Sequence, residues 1–376
     1  MEKVLIIEPK PSGHCAFYLS LIVQAFPESE ITLLAPREDT GIRDHFKRRD
    51  LEFESYKFVE PLSCEAASVV RQAAEIVRAG GFQKVFFSYL DTYLQELLLR
   101  KDGFPCPVSG IWFHPHDLDG KYRWLPPLDK RLGRRGRVHR TLRKVHSNLV
   151  FEHLFFLDPA SVEKLHSLNP RIAASILPDP WEKRPTLDMS QARERFGLPA
   201  HRKIFLHIGG SEKRKGLVDV IAAFDEICRQ QNGSPPLLLR VGENERLNNE
   251  DRQRLISLEK EGFARLVEGY VPEEYFTEYF SAADWILIPY RSFRYSSGIL
   301  SNAIGAGKPV IAANYGLIGA TVNKRSLGLL FRHKSTEDLK RKIMDSLDDP
   351  QSEFTTISSK DISPNHFVKI LRDAMS

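Results

Sequence analysis

Glycine, serine and basic residues occur together at residues 209–216, which read GGSEKRKG. Glycines let a ligand approach the backbone, and the helical pattern after Gly216 offers unpaired N–H groups and a partial positive charge at its start. Cationic side chains in the same turn can clamp a diphosphate. The candidate diphosphate-binding residues are Gly209, Gly210, Ser211, Lys213, Arg214 and Lys215. A solvated basic helix start is the alternative.

A second candidate anion site opens the helix predicted at residues 299–306. Ser296, Ser297 and Gly298 precede this helix, so two hydroxyls and a run of unpaired N–H groups meet there, with Ile299 in the first turn. The alternative is that these residues only cap the helix and bind no anion. The segment GAGKPVIAA that follows permits close packing of the helix on a strand, so we interpret it as mainly structural.

Histidines follow two apolar runs of the first half of the chain. Gly13 and His14 come after the first run, and His114 and His116 come after the run that begins at Val108. We interpret these residues as candidates for the acceptor side of a site. Loop histidines without a role are the alternative. A His-Pro-His metal site is disfavoured because no cysteine or further histidine cluster accompanies it.

Alternating strands and helices must position these residues. The apolar runs predict strands, which imply parallel sheets because helical patterns lie between them. The clearest helix follows Gly216, where apolar residues repeat at three- and four-residue steps. The predicted strands are residues 4–7, 31–34, 85–87, 108–112, 149–157, 204–208, 237–241, 266–267, 285–289 and 310–312, and further helices are predicted at 66–77, 93–99, 190–196 and 362–375.

A chain of 376 residues with this pattern predicts an α/β protein of two domains. The segment 177–185 has three prolines and is the predicted seam, because proline is excluded from helix interiors and central strands. We expect domains at 1–180 and 181–360, with 361–376 forming a helix that returns to the first. The four cysteines are far apart and are interpreted as reduced, mostly buried thiols of a cytoplasmic protein. The sequence predicts neither a signal peptide nor a membrane span.

The order and spacing of the motifs from residue 205 to residue 319 resemble the donor half of the retaining glycosyltransferases of family 4. This resemblance implies the GT-B fold: two Rossmann-like domains with a cleft between them and a C-terminal helix that crosses back. It implies a donor-binding role for Tyr270 and Val271, and a histidine near His114 or His116 that contacts the transferred sugar. It implies catalytic roles for His114, His116, Arg214 and Lys215, with Lys215 at the position of the family's lysine.

The sequence departs from this family at three positions, two of which frame one helix. Two glutamates normally frame the helix after the second site, one contacting the sugar and one the ribose, and Arg294 and Asn302 stand in their places. Asn302 can still hydrogen-bond a ribose, whereas Arg294 suits a phosphate or an acidic sugar. Gly210 stands where the family has an arginine, so Lys213 or Arg214 is left to replace that cation.

The resemblance implies transfer of a sugar from a nucleotide-diphosphate donor to a glycan or lipid-linked acceptor, with retention, in envelope or exopolysaccharide synthesis. The leaving diphosphate can take the acceptor proton, so no carboxylate, metal or cofactor is expected, and no Asp-x-Asp motif occurs. Two other interpretations stay open: an inactive GT-B-like protein that binds a nucleotide sugar or an anionic lipid, and a sugar epimerase of the same fold.

The net charge of +5 is concentrated in one segment. Residues 121–146 contain ten Lys and Arg residues and a single acid, Asp129. An apolar stripe spaced 4, 3, 4 in the second half indicates an amphipathic helix. Such a segment suits an anionic membrane surface, so a peripheral position at the inner face is one expectation. The other interpretations are that the segment holds a phosphorylated acceptor or that it is an exposed helix without a partner. Nucleic acid is disfavoured as a ligand because no nucleic-acid-binding motif accompanies the charge.

Overall fold

The computed structural model describes residues 1–11, 14–99, 104–118, 138–143, 151–183, 187–230, 235–269, 271–348, 354 and 359–376. The chain divides into two compact units. The N-terminal unit comprises Met1–Pro178 and Pro364–Ser376, and the C-terminal unit comprises Asp179–Ser363. Most of the basic segment 121–146 lies outside the described residues. Its described part, residues 138–143, is helical.

The N-terminal unit is built on a seven-stranded parallel sheet in the order β3-β2-β1-β4-β5-β6-β7. The interior strand β1 pairs Val4 with Ile31 of β2 on one side and with Lys84 of β4 on the other. The strands are Lys3–Ile7 (β1), Glu30–Leu34 (β2), Lys57–Val59 (β3), Lys84–Phe87 (β4), Val108–Ile111 (β5), Phe151–Phe156 (β6) and Ala174–Ile176 (β7).

Helices cover both faces of this sheet with apolar side chains. The helix Ala66–Gly80 (α3) is amphipathic. Gly81 follows it in the left-handed conformation at φ 64° and terminates it, as glycines after a helix usually do. The described helices of this unit are Cys15–Ile22 (α1), Thr40–Arg48 (α2), Ala66–Gly80 (α3), Leu94–Leu99 (α4), Pro159–Leu168 (α5) and, numbered last in the chain, Pro364–Met375 (α13). Phe367 and Leu371 of α13 are fully buried in the same core cluster as α1, so this helix completes the N-terminal unit.

The C-terminal unit has a six-stranded parallel sheet in the order β10-β9-β8-β11-β12-β13. The strands are Ile204–Ile208 (β8), Leu237–Val241 (β9), Ala264–Val267 (β10), Trp285–Ile288 (β11), Val310–Ala313 (β12) and Gly328–Phe331 (β13). The described helices are Met189–Arg195 (α6), Leu217–Gln230 (α7), Asn249–Lys260 (α8), Glu273–Ala282 (α9), Gly298–Gly305 (α10), Gly316–Arg325 (α11) and Thr336–Asp348 (α12). The two faces of the sheet carry separate apolar clusters.

The strand order of each sheet reverses direction at one place. In the N-terminal unit the reversal lies between β1 and β4, and in the C-terminal unit it lies between β8 and β11. At such a switch point the loops leaving the two strands run to opposite faces of the sheet and leave a crevice at the carboxyl edge, where α/β proteins bind ligands. The candidate residues after β1, β8 and β11 all follow strands that flank a switch point.

Several sequence predictions differ from the structure. Strands β3, β7 and β13 were not predicted, and the strands predicted to end at Trp112 and Pro289 end one residue earlier. The expectation that the cysteines are mostly buried is wrong: Cys228 is buried, Cys64 is exposed, and Cys15 and Cys106 are intermediate. All four are free thiols. Among the described helices, none is both long and apolar enough to cross a membrane.

A buried ion pair fastens α6 to the sheet of the C-terminal unit. One nitrogen of the Arg193 guanidinium lies 2.6 Å from Asp284 Oδ2, which also accepts the Ile204 N–H at 2.7 Å. The other guanidinium nitrogens donate to the carbonyls of Ala282 and Ala200. Both charged side chains are about nine-tenths buried, so removal of the arginine takes the close cationic partner away from a buried carboxylate, which Lys203 approaches only to 4.0 Å.

We predict that Arg193→Ala lowers the free energy of unfolding by about 3–5 kcal/mol, the cost of breaking a buried pair. The matched control is Arg229→Ala, which removes an exposed pair with Asp225 at 2.8 Å and should cost only about 0.3–0.5 kcal/mol. Urea denaturation monitored by circular dichroism measures both. Equal losses in the two variants would contradict the structural role of the Arg193–Asp284 pair.

Candidate functional site

The basic turn after β8 lies against the end of β11. Lys213–Lys215 form one turn of 3₁₀ helix, and Gly216 follows it at φ 71°. A Cβ at Gly216 would stand 1.9 Å from the Pro289 carbonyl oxygen, so only glycine permits this approach. The Arg291 N–H donates to the Arg214 carbonyl at 2.8 Å. The structure therefore joins the KRKG turn to the loop that carries the second candidate site.

Lys215 places its ammonium over the backbone of Gly209. A Cβ at Gly209 would stand 2.6 Å from Lys215 Nζ. Among the described residues this ammonium forms no hydrogen bond or ion pair. Burial lowers its pKa, and the neighbouring Arg214 and Arg240 act in the same direction against the opposing effect of Glu212. A half-buried cation in this state is stabilised by an incoming anion, which is the chemistry expected of a phosphate site.

The other basic residues of the turn differ in their surroundings. The Arg214 guanidinium lies 5.0 Å from the ring centroid of Phe293 and 3.9 Å from Glu212. Burial alone would raise the pKa of Glu212, but a backbone hydrogen bond together with Lys215, Arg214 and Arg246 holds it below its ordinary value. Lys213 is exposed, and the Ser211 hydroxyl accepts the Arg246 N–H at 3.0 Å. Gly210 lies beside the Glu212 carboxylate.

Sequence reasoning missed the residue that holds this loop in place. Arg240, on β9, is fully buried and donates to the carbonyls of Gly209 and Glu243, each at 2.7 Å, and to Asn244 Oδ1 at 3.0 Å. Its guanidinium thus ties the loop after β8 to the loop after β9. Burial lowers its pKa to about 10, so it stays charged at neutral pH. The sequence signal that could have identified Arg240 is the presence of a charged residue inside the apolar run LLLRV.

The helix start at Gly298 differs from the sequence interpretation. The Ser296 hydroxyl donates to Asp179 Oδ2 at 2.6 Å, and the Ser297 hydroxyl donates to the Tyr290 hydroxyl at 3.3 Å. Both hydroxyls are therefore engaged within the unit, because the neighbouring side chains accept their protons. The exposed Gly298 has open space around its Cα, so the anion donors left at α10 are its first backbone N–H groups. Ile299 packs against the apolar cluster.

The two positions that depart from the family pattern frame α10. The Arg294 carbonyl accepts the Leu317 N–H at 2.8 Å, which fixes its backbone against α11. Asn302 donates from Nδ2 to the Gly298 carbonyl at 2.7 Å, which leaves its Oδ1 as the acceptor for a ligand hydroxyl. Val271 packs against the apolar cluster, and Tyr270 lies outside the described residues.

The histidine loop of the N-terminal unit is organised by a carboxylate that sequence reasoning missed. Asp91 accepts the backbone N–H groups of Phe113 and His114 at 2.8 and 2.7 Å. His114 Nδ1 lies 3.3 Å from Asp91 Oδ1 and 3.1 Å from the Tyr89 hydroxyl. These contacts fix the imidazole ring through Nδ1, so its Nε2 is the nitrogen directed toward other groups.

The remaining histidines surround the same aromatic side chains. The ring of His14 lies 6.0 Å from that of Phe113, and the ring of His116 stacks on His114 at 6.4 Å. Gly13 lies outside the described residues. The structure thus brings His14, His114 and His116 together at the carboxyl ends of β1 and β5. No group of three metal-ligating side chains occurs in the described part of the chain.

Comparisons with known proteins find one family model that matches part of the chain. The family model described as glycosyl transferases group 1 matches residues 188–363. No curated protein matches the sequence of the chain.

Solved structures match the whole chain. A sucrose-phosphate synthase from Thermosynechococcus elongatus superposes with a TM-score of 0.67 at 17% identity, covering 99% of this chain and 95% of the other. HepE from Anabaena, in complex with UDP-glucose, gives 0.66 at 14% identity over 100% and 99%. WaaG, a glycosyltransferase involved in lipopolysaccharide biosynthesis, gives 0.67 at 13% identity over 98% and 99%.

The two parallel sheets, their switch points and these superpositions agree on one architecture. The family match spans the C-terminal unit almost completely, including the KRKG turn and α10. The chain therefore has the GT-B fold, and the model of the glycosyl transferases group 1 family matches its residues 188–363.

Proposed function

We propose that this protein is a glycosyltransferase that moves a sugar from a nucleotide-diphosphate donor to a glycan or lipid-linked acceptor. The observation that carries the proposal is the Lys215 ammonium, half-buried over Gly209 and without an ion-pair partner among the described residues. A cation in this environment stabilises negative charge more strongly than one in water, and negative charge grows on the diphosphate as the sugar leaves.

Residues of the C-terminal unit have separate roles in donor binding under this proposal. Lys215 and Arg214 neutralise the diphosphate, and the first N–H groups of α10 donate to a second group of phosphate oxygens. Arg240 holds the Gly209 loop so that the backbone does not have to reorganise when the ligand binds. Asn302 Oδ1 accepts a ribose hydroxyl. The complexes of HepE with UDP and with UDP-glucose support a uridine nucleotide as the first probe.

The N-terminal unit supplies the acceptor side. His114, fixed through Nδ1 by Asp91 and Tyr89, hydrogen-bonds the transferred sugar or the acceptor through Nε2. We further propose retention of the anomeric configuration, with the leaving diphosphate taking the acceptor proton on the same face, and no requirement for a metal ion. A cytoplasmic protein of envelope or exopolysaccharide synthesis, peripheral at the inner face of the membrane, is the setting that we propose.

A second candidate function is nucleotide-sugar binding without turnover. The observation that favours this second function is that Arg294 and Asn302 occupy the positions of the family's paired glutamates. Incubation with a panel of nucleotide sugars and candidate glycan acceptors, followed by detection of released nucleotide diphosphate, distinguishes the two functions. Release of nucleotide diphosphate coupled to product formation supports the transferase, whereas tight binding without release supports the binding protein.

We predict that Lys215→Ala weakens UDP binding by roughly 1.5–3 kcal/mol, or about 10- to 150-fold, the value of a charge-assisted contact. Isothermal titration calorimetry measures the change. Lys213→Ala is the matched control, because Lys213 lies in the same turn but is exposed, and its removal should change affinity little. Unchanged affinity in the Lys215 variant would remove this turn from the diphosphate site.

We predict that Asn302→Ala weakens UDP binding by about 0.5–1.5 kcal/mol, the net value of one hydrogen bond. Inorganic pyrophosphate has no ribose, so its affinity for the same variant should equal that for the unaltered protein. Competition binding with the two ligands separates a ribose contact from a general disturbance of α10. An equal loss for both ligands would show that Asn302 acts on the helix and not on the ribose.

The basic segment generates a separate prediction. Each Lys or Arg near an anionic surface contributes about 1 kcal/mol and is screened by salt. Replacement of Arg134, Arg135, Arg137 and Arg140 by Gln should abolish cosedimentation with anionic vesicles while UDP affinity stays the same. Neutral vesicles serve as the control, and the interaction should weaken as salt rises. If the unaltered protein does not sediment with anionic vesicles at low salt, the membrane proposal fails.

A further inference from the structure

A carboxyl group is buried at the switch point of the N-terminal unit, next to the acceptor-side residues. Glu8 follows β1 directly and is 4% exposed. Its Oε1 accepts the Lys10 N–H at 3.2 Å, and its Oε2 contacts the Ser88 hydroxyl at the end of β4. The carboxyl therefore links the loop that leaves β1 to the neighbouring strand across the switch point.

The hydrogen bonds around Ser88 indicate where a proton lies. Ser88 Oγ is 3.0 Å from the Ile7 carbonyl oxygen and is also in contact with Glu8 Oε2. The hydroxyl has a single hydrogen, which cannot be donated to two acceptors at once. Both contacts are satisfied if Glu8 is a neutral acid, because its O–H then donates to Ser88 Oγ while Ser88 donates to Ile7.

The groups around Glu8 do not favour a negative charge. Among the described residues, no cationic side chain forms an ion pair with Glu8. The titratable side chains close enough to interact are Cys15 on α1, and Tyr89 and Tyr93 in the segment after β4, each of which would become negative on ionisation. Lys10 contributes its backbone N–H to Glu8, and Cys64 lies against the Pro9 carbonyl. A buried carboxyl without a cation keeps its proton to a higher pH.

We propose that Glu8 is held as a neutral carboxylic acid at the carboxyl end of β1 and acts as a pH-sensitive positioning residue for the loop that follows it. In the neutral state the chain Glu8–Ser88–Ile7 and the Lys10 N–H fix residues 9–11 against β4. Burial raises the pKa of Glu8 to about 7, so this state is present at mildly acidic pH and is lost in the neutral range.

Ionisation changes the balance of hydrogen bonds at this point. The carboxylate can only accept, so Ser88 must turn its hydrogen from Ile7 to Glu8. The charge is left with one hydroxyl and one N–H donor in a buried position, which is unfavourable unless water enters. Displacement of residues 9–11, which hold the Lys10 N–H against Glu8 and precede His14 in the chain, would admit water to the carboxylate. The proposal for regulation rests on the proposed function, whereas the protonation state of Glu8 does not.

The first test measures the protonation state without any substrate. The pKa in the folded protein, about 7, lies above the ordinary value of 4.5. Folding therefore takes up about one proton between these two pH values, and the stability that Glu8 contributes is complete below 4.5 and lost as pH rises through 7. The melting temperature of the unaltered protein should fall relative to that of Glu8→Gln over this window and level off above it.

Glu8→Gln imitates the neutral acid, because the amide donates to Ser88 and accepts from Lys10. The exposed Glu163→Gln, in the same unit, is the matched control and should retain the pH dependence of the unaltered protein. A carboxyl ¹³C resonance of Glu8 that titrates near pH 7, absent in Glu8→Gln, identifies the group directly. Titration of Glu8 near 4.5, or identical melting curves for the two proteins throughout the window, would overturn the proposal.

The second test measures the effect on the loop. If glycosyl transfer is observed, the KM for the acceptor should rise at least threefold between pH 6 and 8 in the unaltered protein and stay level in Glu8→Gln, with kcat little changed. A parallel rise in both proteins would overturn the positioning role while leaving the protonation state intact. Absence of glycosyl transfer at every pH would count against the proposed function, and the melting and NMR results would still decide the state of Glu8.

Discussion

The parallel pairing of every strand is the constraint on which the rest of this molecule depends. Because the strands run in one direction, all their carboxyl ends lie at one edge of each sheet, and the reversal of strand order opens a crevice there. The reversal at β8 and β11 brings the Lys213–Lys215 turn against the loop that ends at Gly298, although about 80 residues of sequence separate them. The reversal at β1 and β4 likewise brings Glu8 to Ser88.

Burial of charge has opposite consequences at two neighbouring cations of the C-terminal unit. Arg240 is completely buried, but the Gly209 and Glu243 carbonyls and Asn244 accept its hydrogens, so its charge stabilises the folded loops. Lys215 is less buried and has no such acceptors among the described residues. Glu212 offsets part of the desolvation of Lys215, and a bound anion would offset more. Arg240 thus holds the two loops in place, and Lys215 is the cation that we propose to bind the diphosphate beside them.

The sequence predicted the centre of each sheet better than its edges. Strands β8 and β9 have the predicted bounds because both of their faces are buried and all of their residues except His207 and Arg240 are apolar. Strands β3, β7 and β13 escaped prediction, and each lies at the edge of its sheet. An edge strand is shielded on one side only, so its residues are half-buried and its apolar pattern is short. Pattern recognition therefore fails where burial is incomplete.

The residue types of the candidate site were predictable, but their partners were not. Lys215, Ser296 and His114 stand out by type and by position after a strand. The groups that hold these residues or their loops are Arg240, Asp179 and Asp91. They are separated by 23 to 117 residues from the residues that they contact, and they meet them only through the fold. The supports also differ in kind between the units: Arg240, a permanent cation, supports the loop proposed to bind the diphosphate, whereas Glu8, a carboxyl proposed to become charged as pH rises, supports the loop that leads to the proposed acceptor side. A diphosphate requires a fixed positive field, whereas a neutral hydroxyl acceptor does not, so only the acceptor side can tolerate a support whose charge varies with pH.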